Sequence, residues 1–375
     1  MKISFINGIC LSNDAISNAV REEVAWLKEQ HDVRLYVYAC DDPALSAHIV
    51  NDVGDIAFDA HFQSSDLVIF HFGVFYPLFN LLAATPKHAR RMVVFHNITP
   101  KEFVAPSSHH LIDQSFAQMA NMDFADHVVC VSQTNLDVLR DAGIGTPATI
   151  LPLPLRKRPM LPSSKPSFQD GVLRFAFLGR FVRSKGPSEL LVALGDVLRK
   201  RPALRVQLDL VGSLTFSDEK IIEEMKALTL AIEKRFGSRV QVTLRANASE
   251  QEKNDCLARA DIFVLPSYHE GFCVPILEAL ASGCRVVSYD NSNIPHISGG
   301  LATLVPSGDK EQLAAAMCAT ADACAAPAWR GGADDSYVQY SLRAAAYVAQ
   351  FDPHSAKRRY LHLIRRLAPI PVRNR

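Results

Sequence analysis

Apolar positions along this chain fall into two alternating kinds of stretch. Short runs rich in β-branched and aromatic residues occur at Lys2–Ile6, Val33–Tyr38, Leu67–Phe70, Met92–His96 and His127–Ser132. Runs of this length bounded by turn residues predict buried strands. Longer segments lie between them, and Ala15–Gln30 carries its apolar residues at the spacing of an amphipathic helix. Strand and helix in alternation predict an α/β domain with a parallel sheet. At Leu151 the pattern breaks into Leu151-Pro152-Leu153-Pro154-Leu155-Arg156-Lys157-Arg158-Pro159, and a Pro/Ser-rich stretch continues to Ser167. Such a stretch cannot hold regular helix and is expected to be a linker. A second series follows, with strands expected at Leu173–Leu178, Val206–Val211, Val240–Leu244, Asp261–Leu265, Arg285–Tyr289 and Ala302–Val305, then helices from Lys310 onward. The expected layout is a first doubly wound domain over 1–155, a linker over 156–170, a second over 171–350 and a basic helix and tail over 351–375. Open α/β sheets bind ligands beyond the carboxyl ends of their strands, so function is sought there.

Composition narrows the classes. A length of 375 residues suits two domains, and 48% hydrophobic against 21% charged residues excludes a disordered or fibrous chain. Forty basic against 39 acidic residues leave a formal charge of +1, which speaks against a general nucleic-acid binder. The eight cysteines fall in no Cys-x-x-Cys or other metal-ligand spacing, and read as buried thiols of a reducing compartment. No apolar stretch at the N-terminus has the length of a secretory signal, so a cytoplasmic location is expected. Leu67 to Thr85 is uncharged and nearly of membrane-spanning length, yet His71, Gly73, Pro77 and Asn80 interrupt it. A buried strand, loop and helix is the preferred reading there.

Three segments carry candidate chemistry. Phe177-Leu178-Gly179-Arg180-Phe181-Val182-Arg183-Ser184-Lys185-Gly186 runs from a strand into a basic loop, with Pro187 opening a helix. Arg180 and Lys185 can converge on an anion, although alone the loop reads equally as a solvated basic turn. Val93-Val94-Phe95-His96-Asn97-Ile98-Thr99-Pro100 brings His96 to a strand end in the first domain, as does the weaker candidate His71. A lone histidine there is more often a satisfied structural residue than a catalytic one. In the third segment a strand ends at Pro266-Ser267, a loop carries Glu270-Gly271-Phe272, and Pro275 suits the start of a helix. The amides of that first turn would form an anion site fit for a diphosphate. Glu270 and Glu278 could then accept hydrogen bonds from sugar hydroxyls, the plainer alternative being a solvated loop and a residue complementing the helix dipole.

These residues resemble the group 1 family of retaining glycosyltransferases with the GT-B fold, two facing Rossmann-like domains. The family carries two glutamates separated by seven residues in an E-G-F-x-x-P-x-x-E setting, matched by Glu270 to Glu278, and an upstream G-R-x-x-x-x-K-G, matched by Gly179 to Gly186. The likeness is good over Leu173–Val305. In the first half, Asp14-Ala15-Ile16-Ser17-Asn18 and His96-Asn97-Ile98-Thr99-Pro100 are similar to members that build bacterial surface polysaccharides. The resemblance implies that Arg180 and Lys185 neutralise the donor diphosphate, that Glu270 holds the donor sugar, and that Glu278 holds the ribose. It also implies that Gly179, Gly271, Phe272, Cys273, Val274 and the amides through Ile276 and Leu277 line the donor. Gly8 would close over the phosphates, and His96 would approach the reacting sugar. Three positions depart from the family: Arg245-Ala246 stands where relatives carry glycine, leaving the base-recognition role given to Arg245 open. His296 replaces a common glutamate, and the first loop lacks a double glycine.

With no Asp-x-Asp in the chain, a metal-independent transfer with retention is expected, the leaving-group charge being met by Arg180, Lys185 and the helix N-terminus. The resemblance implies no cofactor beyond a nucleotide-sugar co-substrate. GDP-mannose is favoured over UDP-glucose or UDP-N-acetylglucosamine, and the acceptor would be a saccharide or a polyprenyl-linked saccharide. A sugar-nucleotide epimerase and a non-catalytic nucleotide-sugar-binding subunit are the rival readings. Finally, Lys357–Arg366 mixes basic and apolar residues at helical spacing. It reads either as a closing helix packed across both domains or as a peripheral contact with anionic membrane.

Overall fold

The computed structural model describes residues 1–11, 14–156, 164–214, 217–331 and 336–368. Two compact units divide the chain: unit 1 comprises Met1–Pro154 and Pro353–Arg375, and unit 2 comprises Leu155–Asp352.

Unit 1 is built on a parallel sheet of seven strands: β1 (Lys2–Ile6), β2 (Asp32–Val37), β3 (His48–Ile49), β4 (Leu67–Phe72), β5 (Arg90–Phe95), β6 (His127–Cys130) and β7 (Ala148–Ile150). Their order is β3-β2-β1-β4-β5-β6-β7, with every pair parallel. The order reverses between β1 and β4. All of β4 is buried, which accounts for the uncharged stretch from Leu67 as core strand, and no helix among the described residues is long and apolar enough to cross a membrane. Strand β5 ends one residue earlier than expected, His96 lying just beyond it with its amide donating to the Phe72 carbonyl at 2.8 Å. The short edge strands β3 and β7 carry too few apolar residues to stand out in the sequence pattern.

Unit 2 repeats the plan with β8 (Val172–Leu178), β9 (Arg205–Gly212), β10 (Val240–Ala246), β11 (Ile262–Leu265), β12 (Arg285–Asp290) and β13 (Ala302–Pro306). The order is β10-β9-β8-β11-β12-β13, again wholly parallel. Here the reversal lies between β8 and β11. Both sheets therefore follow the 3-2-1-4-5-6 winding of dinucleotide-binding folds, in which the reversal opens a crevice for ligands.

Part of the stretch expected to be linker is structural. Residues 157–163 lie outside the described residues, but Ser167–Asp170 forms a short helix and Lys165 is buried in unit 2. The Lys165 ammonium donates to the carbonyls of Ala258 at 3.1 Å and Ser282 at 2.8 Å. These carbonyls belong to the last turns of two helices, Glu250–Arg259 and Val274–Ala281, where unpaired acceptors and the negative dipole end favour a cation. Ser167 Oγ donates to the buried Asp261 carboxylate at 2.6 Å. Proline content ruled out long helix but did not reveal this anchor.

The last helix, Pro353–Leu367, belongs to unit 1. Its apolar stripe of Ala356, Tyr360, Leu363 and Ile364 is buried, Tyr360 meets Trp26 edge-on at 5.8 Å, and Lys357 pairs with Glu29 at 2.6 Å. The helix therefore packs its apolar face on unit 1. Only the basic outer face, with Arg358, Arg359, Arg365 and Arg366, stays exposed.

Candidate donor site

At the reversal in unit 2, two loops meet. The loop after β8 carries Gly179, Arg180, Lys185 and Gly186, and the loop after β11 carries Glu270 to Cys273. Close packing holds them together. Gly186 has φ +65°, and a Cβ there would stand 2.2 Å from the Pro266 carbonyl oxygen, so only glycine fits. Gly179 is different: a Cβ would meet nothing nearer than the Phe177 ring at 3.4 Å. Its neighbour Gly212, at the end of β9, carries the steric demand instead, since a Cβ would lie 2.3 Å from the Gly179 carbonyl oxygen.

The charged groups converge as lysine–glutamate pairs. Lys185 Nζ donates to Glu270 Oε1 at 2.6 Å, and Lys253 Nζ donates to Glu278 Oε1 at 2.8 Å. Both glutamates are buried, at 6% and 9% exposure, so each needs such a partner. Burial alone would lower the Lys253 ammonium, but Glu278 and Glu250 outweigh it and hold it above its ordinary value. Arg180, by contrast, is exposed at the rim. Lys253 carries no motif signal, since it lies on a polar helix 25 positions before its partner.

Helix Val274–Ala281 starts at Cys273, a non-glycine residue at φ 77°, and no side chain caps its first turn. A left-handed non-glycine residue costs of order 1–3 kcal/mol and persists where its surroundings over-determine it. Those surroundings are the turn at Asn291–Asn293. Ser292 Oγ accepts from the Glu270 amide at 3.3 Å, and Asn293 Nδ2 donates to the Phe272 carbonyl at 2.9 Å. The uncapped amides therefore point from a fixed platform, beside two cationic side chains. Ile276 and Leu277 are fully buried, so the helix offers their backbone rather than their side chains. Val274 is only partly covered. Burial and the neighbouring Glu270 push the Cys273 thiol well up, which makes it a packing group rather than a nucleophile. Arg245 ends β10 and donates to Asp209 Oδ1 at 2.8 Å, a pairing that raises its guanidinium further.

Unit 1 places Gly8 at its own reversal and His96 one strand further on, after β5. Gly8 follows β1 with its Cα hydrogens toward the Tyr76 ring, which an added Cβ would reach at 3.5 Å. His96 follows β5, its Nε2 2.8 Å from His71 Nδ1. Burial and the adjacent His71 hold His96 well below the usual imidazole range. The next residue, Asn97, has φ 85° and accepts from the Ile98 amide through Oδ1 at 2.8 Å. Among the described residues no group of His, Cys, Asp and Glu side chains has metal-holding geometry.

Residues 173–322 match the family described as "Glycosyl transferases group 1". Over these residues unit 2 is similar to group 1 glycosyl transferases. The chain is 32% identical over 138 residues to an MMP alpha-(1->4)-mannosyltransferase of Mycolicibacterium hassiacum, covering 36% of this chain and 30% of that protein. It is 35% identical over 130 residues to the amylovoran biosynthesis glycosyltransferase AmsK of Erwinia amylovora, covering 32% and 29%. A D-inositol 3-phosphate glycosyltransferase of Corynebacterium jeikeium aligns at 29% identity over 133 residues, covering 35% and 31%. The chain thus spans about a third of the length of these curated relatives. Among solved structures, sucrose-phosphate synthase from Thermosynechococcus elongatus superimposes with a TM-score of 0.71 at 17% identity, covering 98% of this chain and 99% of that one. An α,α-trehalose-phosphate synthase from Burkholderia vietnamiensis gives 0.70 at 14%, covering 98% and 100%. The fold is GT-B, and the matched residues contain both of the loops that meet at the unit 2 reversal.

Proposed function

We propose that this protein is a retaining glycosyltransferase that moves a hexose from a nucleoside diphosphate to a saccharide acceptor. The observation that carries the reading is the pairing of two buried glutamates with Lys185 and Lys253 beside an uncapped helix start at the unit 2 reversal. Positive groups fixed at a site of this kind stabilise a leaving diphosphate without reorganising during reaction, the term that dominates such catalysis. Glu270 and Glu278 accept from sugar and ribose hydroxyls. Each also pairs with a lysine, so donor binding exchanges part of each ion pair for phosphate and hydroxyl contacts.

Mannose carried on GDP is the donor assigned here, supported by the similarity to a mannosyltransferase over 138 residues. A polysaccharide precursor, free or polyprenyl-linked, is the assigned acceptor, supported by the similarity to an amylovoran biosynthesis enzyme. His96 is assigned a hydrogen bond to the transferred sugar from the strand ends of unit 1, with a neutral ring because burial suppresses its charge. Metal plays no part in this reading, Arg180 and Lys185 carrying the diphosphate charge. Peripheral membrane contact through the last helix would be electrostatic, through its exposed arginines, since its apolar stripe is already buried.

Thermal unfolding with GDP-, UDP-, ADP- and TDP-linked sugars, followed by proton NMR of the product, tests the proposal. A ligand that binds only the native state raises the midpoint. GDP-mannose is expected to give the largest rise, and the new linkage should keep the donor's anomeric configuration. A larger rise with a UDP sugar would reassign the donor, an inverted anomer would remove retention, and isomerised donor without acceptor would favour an epimerase.

A further inference from the structure

A line of buried groups approaches His96 from within unit 1. His96 Nε2 lies 2.8 Å from His71 Nδ1, and the two rings stack with centroids 4.9 Å apart. On its far side, His71 Nε2 lies 3.1 Å from Glu23 Oε2. His71 is wholly buried, and Glu23 is nearly so. An ionised carboxylate only accepts, so the His71 Nε2 proton is directed at Glu23. With Glu23 as acceptor and one proton on the His71 ring, His71 Nδ1 accepts and His96 Nε2 donates to it. His96 then keeps Nδ1 as its single acceptor.

We infer that Glu23 and His71 are positioning residues that hold His96 in its Nε2–H tautomer, reserving its Nδ1 lone pair for a hydroxyl of the sugar substrate. The inference rests on the assignment of His96 to that sugar. Packing fixes the line in place. A Cβ on Gly73 would stand 2.7 Å from Ile16 Cδ1 and 3.3 Å from the Asn97 carbonyl oxygen. The helix Ala15–Lys28 that carries Glu23 is therefore pressed against the loops after β4 and β5. The Tyr76 hydroxyl donates to the His71 carbonyl at 2.6 Å, tying down the middle ring's backbone. Around Glu23 stand Glu22, Trp26, Arg359 and Tyr360, which line one small cavity with it. Burial pushes both the Tyr360 and Tyr76 phenols well up, so neither supplies a competing charge. A histidine needed only for packing would require neither a carboxylate behind it nor a defined tautomer.

Imidazole nitrogen–carbon correlation NMR on the full chain with labelled histidine reads the tautomer without turnover. The expected wild-type spectrum shows His96 as Nε2–H. In Glu23→Gln, whose amide can donate or accept, the His96 signals should move toward a mixture, and kcat should fall at least about tenfold with GDP affinity unchanged. Glu23→Asp keeps an acceptor-only group and should retain the Nε2–H form. His96 as Nδ1–H in the wild type overturns the inference, and that spectrum decides it even if Glu23→Gln does not fold. An unchanged His96 tautomer in folded Glu23→Gln overturns it as well. Full activity in His96→Ala beside the expected spectra would instead refute the sugar assignment and leave the relay standing.

Discussion

The two sheet reversals occupy the same place in the same winding, yet they handle charge in opposite ways. At β8/β11 the chain gathers full charges, two lysines paired with two buried glutamates and an arginine at the rim, beside uncapped helix amides. Beside the β1/β4 reversal, at the end of β5, the group is a histidine held neutral by burial and by a second histidine on β4, with a carboxylate behind that second ring. The fold supplies the position and the residues decide which charge is tolerated there. On the proposed function, a site that binds a diphosphate keeps its cations paired and partly exposed, where a ligand can exchange for the partner. A site that handles an uncharged hydroxyl gains more from a fixed tautomer than from a charge, because a buried imidazolium would be costly.

The contrast predicts unequal responses to mutation. Arg180→Ala and Glu270→Ala remove members of the charged site, and each should lower kcat/KM by about a hundredfold, near 3 kcal/mol, in a folded protein. Steady-state assays with GDP-mannose check this, and a variant at wild-type rate would remove its residue from the site. Gly186→Ala introduces a strained φ and a clash with Pro266, and should cost about 2 kcal/mol or more by urea unfolding, whereas Gly179→Ala should cost less than about 1. Equal costs would show that the loop is not held at Pro266. Lys253→Met frees Glu278 from its partner, so the donor KM should rise about tenfold while kcat changes little. The smallest effect belongs to unit 1. Because His96 is depressed in the folded state, its contribution to stability is complete above pH 6.5 and is lost as pH falls below that value, where the unfolded chain takes up a proton the folded one resists. Thermal midpoints between pH 7.5 and 5 should therefore decline, and less steeply in His96→Asn.

How much of this could be read from the chain depends on range. Apart from the edge strands β3 and β7, the strand pattern placed the strands of both sheets within a residue or two, because β-branched runs such as Leu67–Phe72 and Val172–Leu178 are largely buried. Gly186, Lys185, Glu270 and Glu278 were legible because glycine, lysine and glutamate at those spacings have a local cause, a tight turn or a helix start. Lys253, Glu23 and the Lys165 anchor were not, since their partners lie 25, 48 and as many as 117 residues away, and a single sequence carries no sign of such contacts. Arg245 illustrates a middle case: its position at a strand end was visible, but its pairing with Asp209 on the neighbouring strand came only with the register. The last helix was recognisable as amphipathic, though nothing in its own residues specified that Trp26 would receive its apolar face.

Calorimetric titration of GDP into the wild type and into Arg180→Ala tests the charged reversal most directly, since it needs neither acceptor nor turnover. The account predicts one site per chain, with affinity at least about tenfold weaker in the variant, a difference of about 1.4 kcal/mol. Equal affinity in the two proteins would contradict it.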